Sequence, residues 1–166
     1  MRLELHIERD VEIRKAHYTE IQEIYSILSK SFEPYSQYYT EKAYNATVIP
    51  PHEIEERISD EKTDILVVIH KNKVVGTVSI IMQEKEKLHL RSMAVKPSYQ
   101  RKGIGSYILE EINRLAREKQ VKIVSLECFE PLTKARNLYE KFGFRKTGRK
   151  RDYHGIKIFE MIKKTN

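Results

Sequence analysis

The stretch Met93-Ala94-Val95-Lys96-Pro97-Ser98-Tyr99-Gln100-Arg101-Lys102-Gly103-Ile104-Gly105 turns an apolar strand into a helix within a few residues. The first turn of a helix carries free backbone N–H groups and the positive end of the helix dipole. An anion such as phosphate binds there when the backbone can approach closely, and glycine removes the Cβ that would stand in the way. Arg101 and Lys102 add charge beside the same spot. Two familiar phosphate loops do not fit. A P-loop needs Gly-Lys-Ser/Thr at the helix start, whereas Gly105 is followed directly by Ser106. A dinucleotide fingerprint needs a third glycine where Ile108 stands. Taken alone, the two glycines also suit a plain tight turn between strand and helix.

Outward from this loop, periodicity predicts an alternation of strands and helices. Residues 104–118 form the strongest helix, with Ile104, Ile108, Ile112 and Leu115 along one face. Before the loop, residues 64–70, 74–82 and 87–95 read as an antiparallel meander, with Lys71-Asn72-Lys73 as a hairpin turn. Residues 11–15 read as a short strand. A helix follows, capped by Thr19 with Gln22 and presenting Ile21, Ile24, Tyr25 and Leu28. Residues 32–49 read as irregular, and Pro50-Pro51 opens another helix with Ile54 and Ile58 on one side. After the loop helix come a strand at 121–128, a helix at 133–141 ended by Gly143, and strands at 144–147 and 155–162. A strand–helix–strand unit inside a mostly antiparallel sheet predicts an α/β (α+β layered) fold, with a mixed central sheet flanked by helices.

With 166 residues, the chain suits one domain with its own core, expected over 1–166. Its single cysteine, Cys128, excludes an internal disulfide and is in keeping with a reducing interior. The N-terminal Met1-Arg2-Leu3-Glu4-Leu5-His6 lacks the apolar run of a signal peptide, and the longest apolar run, Ile65 to Ile69, is far too short to span a bilayer. A cytoplasmic protein without a membrane partner is expected. The net charge is +7, and the excess is concentrated between Arg145 and Lys164. Such a patch suits an anionic partner or a solvated basic face. No nucleic-acid recognition motif or aromatic platform accompanies it, so nucleic acid is not the expected partner.

The loop, as Gln100-x-x-Gly103-x-Gly105 after a strand and before an amphipathic helix, resembles the acyl-CoA loop of the GNAT superfamily of N-acyltransferases. Ala135-Arg136-Asn137-Leu138-Tyr139-Glu140-Lys141-Phe142-Gly143-Phe144 is similar to that family's later Ala-x-x-x-Tyr-x-x-x-Gly-Phe helix. The two segments stand in the family's order. The likeness extends over residues 11–162 but is specific near 88–112 and 133–144.

This resemblance implies acetyl transfer from acetyl-CoA to a primary amine by direct attack in a ternary complex. It implies that Gln100, Arg101, Lys102, Gly103, Ile104, Gly105 and Ser106 hold the pyrophosphate. Met93, Ala94 and Val95 would pair with the pantetheine arm as an added strand, and a backbone N–H near Met93 would polarise the thioester carbonyl. Tyr139 is the implied general acid, although Ala135, Leu138, Tyr139 and Phe142 also share one packing face. The general base stays open among His89, Glu127 and a water, since no acidic residue lies between Leu88 and Val95. Leu132 stands where the family often has a cofactor-touching asparagine, which puts that contact in doubt.

Cys128 reads as a core residue, and the six histidines show no metal-ligand spacing, so no metal is expected. The acceptor, a small-molecule amine or a protein or peptide amine, is expected to enter past Phe32, Tyr35, Tyr38, Tyr39 and Tyr44. Glu33 and Glu41 would attract it there, with the basic patch lying elsewhere. A homodimer is compatible with this reading. The alternative is a catalytically silent acetyl-CoA-binding regulatory module.

Overall fold

The structure, a computed structural model, describes residues 10–84 and 86–165. The N-terminal alternation at residues 1–6 lies outside the described residues. Among the described residues, seven strands form one sheet: β1 (Val11–Lys15), β2 (Thr63–His70), β3 (Lys73–Gln83), β4 (Lys87–Val95), β5 (Ile123–Phe129), β6 (Arg145–Tyr153) and β7 (Ile156–Lys164). Their order is β1-β2-β3-β4-β5-β7-β6, and only β4 and β5 run parallel. The same residues hold five α-helices, α1 (Ile21–Phe32), α2 (Glu41–Thr47), α3 (Pro51–Ser59), α4 (Ile104–Glu118) and α5 (Thr133–Lys141). The mixed, mostly antiparallel layered sheet is therefore as expected, and its parallel pair is the β4–α4–β5 crossover.

Helices cover both faces, which explains why β2 and most of β3 are buried continuously rather than at alternate residues. On one face, Ile104, Ile108, Leu109 and Ile112 of α4 pack with Leu66, Val68, Val78, Ile80, Leu88 and Leu90. Leu138 and Tyr139 of α5 lie against the same core. On the other, Ile24, Ile27 and Leu28 of α1 and Ile54 of α3 meet Ile65, Val67, Val74 and Ala94.

Three local expectations need correction. The α1 entry is not capped by Thr19. A 3-10 turn over Tyr18–Glu20 precedes it, and Glu20 accepts the His17 backbone N–H at 2.7 Å while pairing with Arg14 at 2.8 Å. A charged partner on Arg14 outcompetes a neutral Thr–Gln box. Residues 32–49 are not irregular: a 3-10 segment spans Glu33–Tyr38, and Thr40 caps α2 by accepting the Ala43 N–H at 3.1 Å. The last hairpin is much longer than its apolar residues indicate. β6 continues through the basic run to Tyr153, solvent-exposed along nearly all its length, because an edge strand with both side-chain rows in water gives no hydrophobic alternation.

Candidate functional site

β4 and β5 pair only from Lys87↔Ile123 to Leu90↔Leu126. Beyond that point β4 continues to Val95 and β5 to Phe129 without pairing, so the sheet opens into a wedge. The β3–β4 register sharpens the divergence. Thr77 faces Ala94 and Ser79 faces Arg91, leaving Ser92 and Met93 together opposite Val78. Ser92 has φ +52, the left-handed backbone of a bulge that bends the strand. A cleft of about 790 Å³ occupies the wedge.

One end of the cleft is the loop before α4. Gly103 caps the helix with φ +87, and Arg101 also stands at φ +64. Glycine is needed at position 103 for the turn itself. Gly105 is small for a different reason: a Cβ there would come within 2.8 Å of Leu138 Cδ2, so α4 and α5 approach through it. Met93, Ala94, Val95, Gln100, Arg101, Gly103, Ile104, Gly105 and Ser106 all line the cleft. Lys102 does not; its ammonium stands 5.2 Å over the Tyr99 ring. The Gln100 side chain donates to the Val95 carbonyl at 3.1 Å, stapling the loop to the end of β4. Ser31 Oγ donates to the same carbonyl at 2.8 Å.

The wall from α5 supplies Lys134, Ala135, Leu138 and Tyr139, with Leu132 at its N-cap. Tyr139 is partly buried, its ring 6.0 Å from Phe144 in an edge-on contact. Burial raises its phenol above the ordinary value, and Cys128 adds to the rise. The group therefore holds its proton throughout the neutral range. Among the described residues its hydroxyl makes no hydrogen bond. Burial likewise pushes the Cys128 thiol up to about 11, which leaves it unreactive as a nucleophile.

On the sheet side, His89 lines the cleft with Nδ1 2.8 Å from Ser125 Oγ. Burial lowers its pKa, so the ring is neutral at pH 7. Glu127 is not free. Arg151 reaches across β7 and donates to both of its oxygens, at 2.5 and 2.8 Å. Of the two side chains left open as bases, only His89 has an uncommitted cleft-side function.

The far end of the cleft departs from sequence expectation. Phe32, Tyr35 and Tyr39 line the cleft, but Tyr38, which is exposed, and Tyr44 do not; Glu33 and Glu41 do not reach it either. The basic C-terminal segment does, through Arg151 and Tyr153. Two arginines not foreseen as functional also line it, Arg57 of α3 and Arg91 of β4. Their signal was present: Arg57 sits three residues from Ile54 on the apolar side of a helix, and Arg91 follows Leu90 in a central strand. Charged residues at such positions are rarely buried without a reason.

A mixed sheet split at its parallel pair leaves room for an extended ligand between two strands, with a helix N-terminus placed to receive an anion. The chain belongs to the acetyltransferase (GNAT) family, whose model matches residues 21–144. The fold is shared with the PaiA N-acetyltransferase from Thermoplasma acidophilum in complex with coenzyme A, at TM-score 0.78 and 21% identity, covering 94% of this chain and 99% of that one. It is shared with the ribosomal-protein-S18-alanine N-acetyltransferase from Escherichia coli, at TM-score 0.76 and 18% identity over 94% of each chain. Ard1 from Thermoplasma volcanium matches at TM-score 0.76 and 20% identity, over 95% of this chain and 99% of that one.

Proposed function

We propose that the protein transfers an acetyl group from acetyl-CoA to a primary amine within a ternary complex. The observation that carries this reading is the divergence of β4 and β5 beside the N-terminus of α4, with Tyr139 in the wall of the resulting cleft. The cleft residues fit an acyl-CoA. The first amides of α4 and the cations Arg101 and Lys134 suit its phosphates, and the unpaired edge of β4 at Met93–Val95 suits a pantetheine amide chain. Leu132 offers no side-chain hydrogen bond, so affinity rests on the loop and the strand edge.

Bound acetyl-CoA supplies an acetyl carbon activated as a thioester. The backbone around the Ser92–Met93 bulge is suited to donate an N–H to the thioester oxygen. A bond forms from the amine nitrogen to the acetyl carbon as the carbon–sulfur bond breaks. His89, neutral and aimed at the cleft, takes the amine proton through Nε2 when its own proton sits on Nδ1 toward Ser125. Tyr139 protonates the departing sulfur. No covalent enzyme nucleophile is needed, in keeping with the raised Cys128 thiol.

Calorimetric titration with CoA, together with thiol release from acetyl-CoA in the presence of primary amines, tests the reading. Saturable CoA binding that is weakened at least tenfold in a folded Gly103→Val protein is expected. A parent protein that does not bind CoA, or a folded variant that binds it undiminished, would overturn the loop assignment.

A further inference from the structure

Arg57 and Arg91 both line the cleft, and neither is hydrogen-bonded to a carboxylate among the described residues; Glu53 acts on both from a distance and Asp60 on Arg91. The Arg57 side chain is only 11% exposed. Its Nη1 donates to Ser92 Oγ at 2.9 Å and approaches Ser79 Oγ at 3.4 Å, neutral partners on the two strands that flank the bulge. Its nearest carboxylate is Glu53 at 3.8 Å, itself 41% exposed. Arg91 is less well provided. Its Nε is buried without any hydrogen-bond partner, and among the described residues no carboxylate lies within ion-pair distance of it. Burial, then the charge of Arg91, brings the Arg57 pKa down to about 10, and burial lowers that of Arg91 as well. Both stay charged at neutral pH.

Two desolvated like charges beside an orphaned N–H are costly in the free protein. A guanidinium presents a planar fork of donors matched to carboxylate and phosphate, and a buried pair concentrates that preference. The phosphate loop does not explain the pair. It begins beyond Val95, about 15 Å of extended chain from Arg91. Among the described residues there is no free carboxylate to receive an acceptor as a dication: Glu127, their one acidic side chain lining the cleft, is held by Arg151.

We propose that the amine acceptor carries an anionic group, a carboxylate or a phosphate, which Arg57 and Arg91 bind in the far end of the cleft. This rests on the acetyltransferase reading above. It narrows the acceptor to amino acids and other amino acids-like zwitterions or aminoalkyl phosphates, and disfavours polyamines. The aromatic and aliphatic side chains of Phe32, Tyr39, Tyr153, Ile156 and Ile158 line the same cleft and suit the apolar body of such an amine.

The test compares matched acceptors with acetyl-CoA by thiol release: the common amino acids against their amides, phosphoethanolamine against ethanolamine, and spermidine as a polycation. At least one anionic amine should exceed its neutral counterpart tenfold or more in kcat/KM, with the difference chiefly in KM. Whether it is a carboxylate or a phosphate distinguishes the two sources. Arg57→Gln and Arg91→Gln should each remove most of that preference while CoA affinity by calorimetry stays within about twofold. Neutral amines or spermidine acting as well as every anionic amine would overturn the proposal.

A second measurement does not depend on turnover. The side-chain Nε–H resonances of Arg57 and Arg91 are followed by NMR during titration with acetate and with orthophosphate, in CoA-free and CoA-saturated protein. A saturable shift of these two resonances is expected in both states, and its absence would overturn the proposal whatever the acceptor panel gives. CoA that fails to bind while the two arginines still respond would defeat the acetyltransferase reading instead, so the two failures are distinguishable.

Discussion

Single side chains decide how protons and charges are handled in the cleft, and three of them make separable predictions. Tyr139 keeps its proton because burial raises its phenol. Tyr139→Phe should therefore leave CoA affinity unchanged and lower kcat on the order of a hundredfold, the usual scale for a positioned acid; unchanged turnover would reduce Tyr139 to a packing residue beside Phe144. His89 has its pKa lowered from 6.5 by burial, with the opposing pull of Glu127 the weaker influence. As a base it works when neutral, so kcat should fall on the acid side of a window below about pH 6.5. Stability follows the same sign. Above the unfolded value both states leave the ring neutral, and as pH falls through the folded value the unfolded chain binds the proton first and stability is lost. His89→Gln should lower kcat and flatten both profiles, read by rate measurements and urea unfolding from pH 5 to 8. Arg91 is retained at the expense of the free protein's stability, since its Nε has no partner. Arg91→Gln should stabilise the ligand-free protein by about 1 kcal/mol in urea unfolding, because it relieves the desolvation of a half-buried charge whose Nε has no partner and its repulsion with Arg57. A loss of stability would mean that a counter-charge already serves it.

At the scale of elements, the sequence is most legible where one physical cause dominates. The 3.6 period of Ile104, Ile108 and Ile112 marked α4, and the apolar runs marked β2 to β5, because burial on one or both faces leaves a pattern no other arrangement explains. The loop at 100–106 was legible for the same reason: a strand, two glycines and an amphipathic helix have little freedom in how they connect. The bulge at Ser92 was not. It depends on register across β3, which no local pattern encodes. Nor were α2 and the full β6. Only Ala43 of α2 is buried, so it has no stripe to read, and it is stabilised instead by a cap and by contact with a distant hairpin. Thr40 makes both ties, accepting from Ala43 N and donating to the His154 carbonyl at 2.5 Å in the β6–β7 turn. That turn comes close enough that a Cβ on Gly155 would lie 3.0 Å from Thr40 Cγ2. Since Tyr39 just before α2 and Thr47 at its end both line the cleft, Thr40→Ala should loosen the cleft wall as well as the helix. The expected cost is about 1 kcal/mol of stability, the typical value of such a cap, with faster amide exchange confined to residues 40–48 and 153–156. The acceptor KM should rise while CoA affinity holds; an unchanged KM would separate α2 from acceptor binding.

For the molecule as a whole, the net charge of +7 acquires a direction once the cleft is known. Among the described residues, Lys30, Arg57, Arg91, Arg101, Lys134 and Arg151 line it against Glu127 alone. A low-dielectric cleft with one sign of charge focuses the field and raises the local concentration of the opposite ion. Arg151, from the basic segment at residues 145–164, offsets Glu127 within the cleft, so the other five cations set the sign of the field. Salt screens such a field, with a Debye length of about 10 Å at 0.1 M and about 3 Å at 1 M. The cofactor, carrying several phosphates, should accordingly lose affinity as ionic strength rises, and its KM should increase severalfold between about 0.05 and 0.5 M sodium chloride. That response follows from any phosphate-bearing ligand and does not by itself identify the acceptor. The acceptor's own response does. An anionic amine held by Arg57 and Arg91 should show a KM that rises with salt at saturating acetyl-CoA, and the rise should shrink in Arg91→Gln. A polycation repelled by the same field would show the opposite slope, because screening would relieve the repulsion. Steady-state kinetics with sodium chloride varied at fixed pH therefore reads the sign of the acceptor's charge from the slope alone. A KM for every productive acceptor that falls with salt would mean that the field of the cleft works against its substrate, which would overturn the assignment of the arginine pair to acceptor binding.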